Sequence, residues 1–207
     1  MLHAQTPAPQ GPARWEKDIA AFEARDKTNP PPQNALLFIG SSTILLWKTL
    51  EQDLPDHKVI NRGFGGSQIA DAVYYADRIV IPYKPKMVLF RSGGNDINAG
   101  KSPEQVFADF QAFVAKVHVK LPKTEIVYIA LSPSVARWQN WGKEAALNKM
   151  VKDLTQKNKR VKYLDTADIS VGADGKPRPE LFVADKLHFN AEGYKLLTAR
   201  VRAYLSK

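Results

Sequence analysis

Ser42, Asp185 and His188 are the side chains of this chain that together could carry out acyl transfer. A serine hydroxyl is a weak nucleophile until a base takes its proton, and an imidazole does that best near neutral pH. The base needs a partner on its other ring nitrogen, to fix its tautomer and its orientation. Asp185 stands three residues before His188, so that bond can close within one tight loop. Ester cleavage also needs donors for the oxyanion that forms on the carbonyl oxygen. The backbone N–H groups of Ser42 and Gly66 and the side-chain amide of Asn95 are the candidates.

None of these residues is diagnostic alone. A serine after a strand is more often a helix cap, a Gly-Gly pair a turn, and a single histidine structural. Asp165 and Asp168 are rivals to Asp185, and Ser41 is a rival to Ser42. What gives the residues weight is where each falls in the pattern of elements.

Short apolar runs at 35–39, 58–61, 87–90, 125–131 and 161–165 read as buried strands. Helical patterns alternate with them at 15–25, 43–50, 68–79, 102–120, 144–157 and 191–205, with Asn190 placed to cap the last. This alternation predicts an α/β chain with a five-stranded parallel sheet covered on both faces. Ligand sites in such sheets lie at the carboxyl ends of the strands. Gly40-Ser41-Ser42, Gly63-Phe64-Gly65-Gly66 and Gly93-Gly94-Asn95-Asp96 each follow a strand, and Asp185-x-x-His188 precedes the last helix. All four segments should therefore share one rim. The glycine-rich Gly63–Gly66 segment lacks the third glycine of a dinucleotide fingerprint and the lysine of a P-loop.

These four segments resemble the conserved blocks of the SGNH hydrolases, the GDSL-like lipase/acylhydrolase family, whose letters fall here on Ser42, Gly66, Asn95 and His188. The wording around Asn61–Ser67 is similar to a bacterial branch akin to the platelet-activating-factor acetylhydrolase catalytic subunits. One departure stands out: Ser41 occupies the place where the family's first block usually has Asp. The resemblance implies a three-layer α/β/α flavodoxin-like fold, no metal or other cofactor, and hydrolysis through an acyl-enzyme. It names no substrate. Short-chain acyl or acetyl esters are the first expectation, because little sequence is left for a large lid. The alternatives are a polysaccharide O-deacetylase and a non-catalytic ligand-binding module on the same fold.

The remaining features set limits. Cysteine is absent from the 207 residues, which excludes disulfides, thiolate metal sites and a cysteine nucleophile. The net charge is +9, but the lysines are scattered and form no compact block, so the expected partner is a small-molecule or carbohydrate ester and not nucleic acid. No apolar run is long enough to span a bilayer. Residues 1–34 read as a tail, a helix and a Pro-rich linker, and 35–207 as the hydrolase domain. The first residues lack both a basic and an apolar region. They are expected to be the remnant of an export signal on a secreted or periplasmic protein, the alternative being a cytoplasmic one. Arg137 and Trp138 follow the fourth strand and are candidates for substrate binding. Arg137 would hold an anionic group, and Trp138 with Trp141 would floor a pocket. The alternative is a packed loop. Asp96 is expected to cap or orient Asn95, and Trp47 to pack in the core.

Overall fold

The computed structural model describes residues 11–206, so the segment read as a signal remnant lies outside it. The sheet is the five-stranded parallel one expected. Its strands are β1 (Leu36–Gly40), β2 (Val59–Gly63), β3 (Met87–Arg91), β4 (Glu125–Ile129) and β5 (Val161–Leu164), in the order β2-β1-β3-β4-β5. That order belongs to the flavodoxin-like doubly wound sheets. All five residues of β1 are buried, because helices cover both of its faces.

Alternation along the strands sorts the core into two layers. Leu37, Ile39, Val88 and Phe90 face one side, and there they meet α1 (Glu16–Thr28), α4 (Ile69–Ile79), α6 (Pro103–Lys120) and α7 (Trp141–Lys157). Leu36, Phe38, Leu89 and Val127 face the other side, against α3 (Leu50–Asp53) and α8 (Ala191–Leu205). Ser102 caps α6 in a capping box with Gln105, and Asn190 Oδ1 accepts from Glu192 N and Gly193 N at the start of α8.

One expectation is corrected. The helix expected over 43–50 is two single turns, α2 (Ser42–Leu45) and α3, separated by a turn. Asn61 Nδ2 donates to Ile44 O at 2.7 Å and takes a carbonyl that a longer helix would use. Trp47 then turns into the core between Phe38 and Tyr194, as expected for packing, and its indole N–H donates to Asp53 at 2.6 Å. Gly94–Asn98, to which no element was assigned, is a one-turn helix, α5.

The crowding around α2 depends on missing side chains. A Cβ at Gly63 would stand 2.2 Å from Leu45 N, and one at Gly40 would stand 3.0 Å from Ile44 Cγ1 and 2.0 Å from Arg91 O of β3. α2 can therefore lie directly on the ends of β1 and β2.

α1 joins the first core layer through Ile19 and Phe22. It is tied to β2 by Arg62, whose side chain is only 3% exposed and which pairs with Asp26 at 2.6 Å. The guanidinium also lies over the rings of Phe22 and Tyr83. Removing one member of a buried pair strands the other charge. Asp26→Ala should therefore cost about 3–5 kcal/mol in urea unfolding. A loss near that of an exposed pair, below about 1 kcal/mol, would mean that Arg62 is not held by this carboxylate.

Candidate active site

In this strand order β1 and β3 are neighbours whose outgoing connections diverge, and the divergence opens a crevice at their carboxyl ends. Gly40 and Arg91 pair at that point. The chain leaving β1 carries Ser42 as the first residue of α2, and the chain leaving β3 carries Asn95 in α5.

α2 is only four residues long and is held by its neighbours. Asn61 bonds Ile44 O, and Tyr194 Oη donates to Thr43 O at 2.8 Å. The Ser42 N–H lies in the first turn, where backbone donors have no intrahelical acceptor.

His188 comes from the loop before α8. That loop is fastened by Val183 N donating to His188 O at 2.9 Å and by the left-handed Lys186, φ 58°. Asp185 organises it further: Oδ1 accepts from Leu187 N at 2.8 Å and from His188 N at 3.0 Å. Oδ2 is 2.6 Å from His188 Nδ1, and His188 Nε2 is 2.9 Å from Ser42 Oγ. The three side chains thus form one hydrogen-bonded series. Ser41 lines the same cleft, but it is the Ser42 hydroxyl that meets the imidazole. The rival carboxylates are engaged elsewhere: Asp168 pairs with Arg200 at 2.6 Å, and Asp165 lies 3.9 Å from Lys152.

The bond from the His188 backbone, followed by those from its side chain and from Leu187 N, holds the Asp185 carboxyl down at about 2. A depressed carboxylate stabilises the folded chain above its ordinary 3.8, and that contribution is lost as pH falls toward about 2.

Asn95 is fixed from both ends of its amide. Nδ2 donates to Ser67 O at 3.0 Å, and Oδ1 accepts from Arg137 at 2.9 Å. The second hydrogen on Nδ2 remains for a ligand. The sequence offered no sign of the Arg137–Asn95 contact, which spans 42 residues. Gly66, φ 78°, is exposed on the adjoining loop, one residue before Ser67 and outside the residues that line the cleft. Trp138 is also outside that lining; it sits 39% exposed in a short 3-10 turn.

Asp96 does not orient the Asn95 amide. It is fully buried and accepts from Ile69 N at 3.2 Å and from Lys101 at 3.1 Å. Burial raises its pKa. It joins the start of α4 to α5, which holds the Ser67 loop beside Asn95. Its early position in α5 makes this bond to another element possible, and that helix was not legible in the sequence. Among the described residues, no group of three or more His, Asp or Glu side chains could hold a metal ion, and no helix is long and apolar enough to cross a membrane.

A flavodoxin-ordered sheet with hydroxyl, imidazole and carboxylate in series at its switch point falls among the doubly wound hydrolases. Within that class the chain belongs to the GDSL-like Lipase/Acylhydrolase family, whose profile matches residues 41–196. No curated protein matches the sequence. Three solved structures share the fold. One is provisionally described as a platelet activating factor from Streptococcus pneumonia, with 20% identity, TM-score 0.81, and coverage of 93% of this chain and 94% of that one. A second is a GDSL-like lipase from Bacteroides thetaiotaomicron, with 17% identity, TM-score 0.76, and coverage of 91% and 97%. The third is a catalytic mutant of an acetylxylan esterase from Geobacillus stearothermophilus, with 16% identity, TM-score 0.67, and coverage of 83% and 94%.

The cleft also holds a carboxyl group that the sequence did not flag. Glu144, in the first turn of α7, is 5% exposed and lines the cavity beside Ser42. Burial raises its pKa to about 7, against the opposing pull of Arg91 and Arg137. The folded chain therefore keeps a proton that the unfolded chain releases near 4.5, so stability falls as pH rises from about 4.5 to about 7. Glu144→Gln should remove that fall. Relative to the parent it should gain up to about 3 kcal/mol above pH 7 and little below pH 4, read from urea unfolding at several pH values. Equal stability at every pH would show that Glu144 is not held neutral by burial.

Proposed function

We propose that the chain is a serine esterase that cleaves short-chain carboxylic esters through an acyl-enzyme, with Ser42, His188 and Asp185 as its catalytic residues. The observation that carries this reading is the series from Asp185 Oδ2 through the imidazole to Ser42 Oγ, at 2.6 and 2.9 Å. Membership of a lipase and acylhydrolase family supports it.

Ser42 Oγ attacks the ester carbonyl while His188 Nε2 takes its proton. The ionised Asp185 stabilises the imidazolium and keeps Nδ1 protonated. The oxyanion is received by the Ser42 and Gly66 N–H groups and by Asn95 Nδ2. His188 then gives the proton to the departing alkoxide. The acyl group stays on Ser42 until water, activated by the same imidazole, releases it as the acid.

The short acyl size rests on volume. The cavity beside Ser42 is about 70 Å³. A single water needs roughly 10–15 Å³ on this measure, so the space suits an acetyl-sized group better than a fatty chain. Arg137 is read as a residue that positions Asn95, in place of the anion-binding role that its type alone suggested.

Ser42→Ala should lower the kcat for nitrophenyl acetate by roughly 10⁴-fold or more. Asp185→Asn should lower it by about 10⁴-fold, because the amide favours the wrong tautomer of His188. Full turnover by Ser42→Ala would reject the assignment. Arg137→Ala should lower kcat by about tenfold or more by loosening the oxyanion donor, with KM little changed. A rise in KM alone would return Arg137 to substrate binding.

A further inference from the structure

Part of the cavity lining beside the proposed catalytic residues is polar and is only partly answered by the protein. Glu144, a residue only 5% exposed, lines it. The influences on its carboxyl are burial and the charges of Arg91 and Arg137, and no hydrogen bond from the protein is among them. A Cβ at Gly94, the residue before Asn95, would stand 3.4 Å from Glu144 Oε1. The carboxyl therefore lies against the backbone of α5 next to the residue that carries the proposed oxyanion donor. Ser92 and Arg91 line the same cavity, and each buries a polar atom, Oγ and Nε, that has no partner.

Arg91 itself is not free to take a ligand's charge. Its NH1 donates to Ala130 O and Thr166 Oγ1, and its NH2 to Ser132 Oγ at 2.9 Å. The Glu144 oxygens, by contrast, are not among the buried atoms without a partner, so they are open to the cavity and available to a ligand's donor. A cationic ligand would face two arginines, and an anionic one would face Glu144. A neutral hydroxyl meets neither objection, because it can donate to the carboxylate and accept from the protonated acid.

We propose that this part of the lining is a hydroxyl-recognising subsite and that the preferred esters carry an aliphatic hydroxyl close to the scissile carbonyl, accepted by Glu144. This rests on the esterase reading and narrows its substrate class. The hydroxyl can come from either side of the ester: from a hydroxyacyl group, or from the neighbouring carbon of a partly acylated polyol or sugar.

Two matched pairs distinguish these sources. Phenyl glycolate against phenyl acetate tests the acyl side, and glycerol monoacetate against propyl acetate tests the alcohol side. Each kcat/KM is divided by the rate of hydroxide hydrolysis of the same ester. The full chain should favour the hydroxylated member of one pair by about tenfold or more, and Glu144→Leu should bring that ratio close to one. Labelling by a serine-reactive phosphonate reports whether the variant is folded. If the leucine variant does not label, Glu144→Met, which also lacks a hydrogen-bonding group of useful strength, takes its place with the same direction expected. Ratios near one in both pairs for an active parent chain, or a ratio that survives replacement of Glu144, would overturn the subsite. A parent chain that hydrolyses none of the four esters would instead reject the esterase reading.

Discussion

The contact on which the rest depends is the hydrogen bond between Ser42 Oγ and His188 Nε2, 2.9 Å long between residues 146 apart in sequence. Neither residue can supply this alignment alone. α2 is too short to hold itself, and the His188 loop is joined to β5 by a long irregular segment. The alignment is made by bonds that reach across elements: Tyr194 from α8 to α2, Asn61 from β2 to α2, and the Asp185 carboxylate to two backbone amides of its own loop. α8 is thus tied to the nucleophile's helix at Tyr194 and, through its cap Asn190, directly follows the histidine loop. One helix sets both halves of the pair.

The sheet supplies the setting. Reversal of strand order between β1 and β3 opens the crevice, Gly63 lets α2 press onto the end of β2, and Gly40 lets the end of β1 lie against the Arg91 carbonyl of β3. On the β3 side, Asp96 carries the same logic one layer deeper. It spends a fully buried carboxylate on joining α5 to α4, and the beneficiary is the loop whose Ser67 carbonyl takes Asn95. Polar groups buried in this way give fixed geometry more than net stability.

The sheet could be read in the sequence because β1, β3 and β4, the central strands, carry unbroken apolar runs, the mark of burial on both faces, while the edge strands β2 and β5 keep shorter apolar stretches interrupted by Asn61 and Lys162. The positions of Ser42, Asn95 and His188 on one rim followed from the rule for doubly wound sheets. The single-turn helices α2, α3 and α5 could not be read, since one turn has no periodicity to show and tertiary bonds decide where it stops. The Arg137–Asn95 contact was hidden for a related reason. An arginine after a strand looks the same whether it meets an anion or a neighbouring amide. Glu144 was hidden too, because its burial comes from the cleft and its helix position reads as an ordinary acidic first turn.

The most direct measurement is to map, by peptide mass spectrometry, the residue of the full chain that takes up a serine-reactive phosphonate. The account predicts one adduct, on Ser42, which disappears when His188 is replaced by alanine. An adduct on Ser41, or labelling of Ser42 that persists without the imidazole, would contradict it.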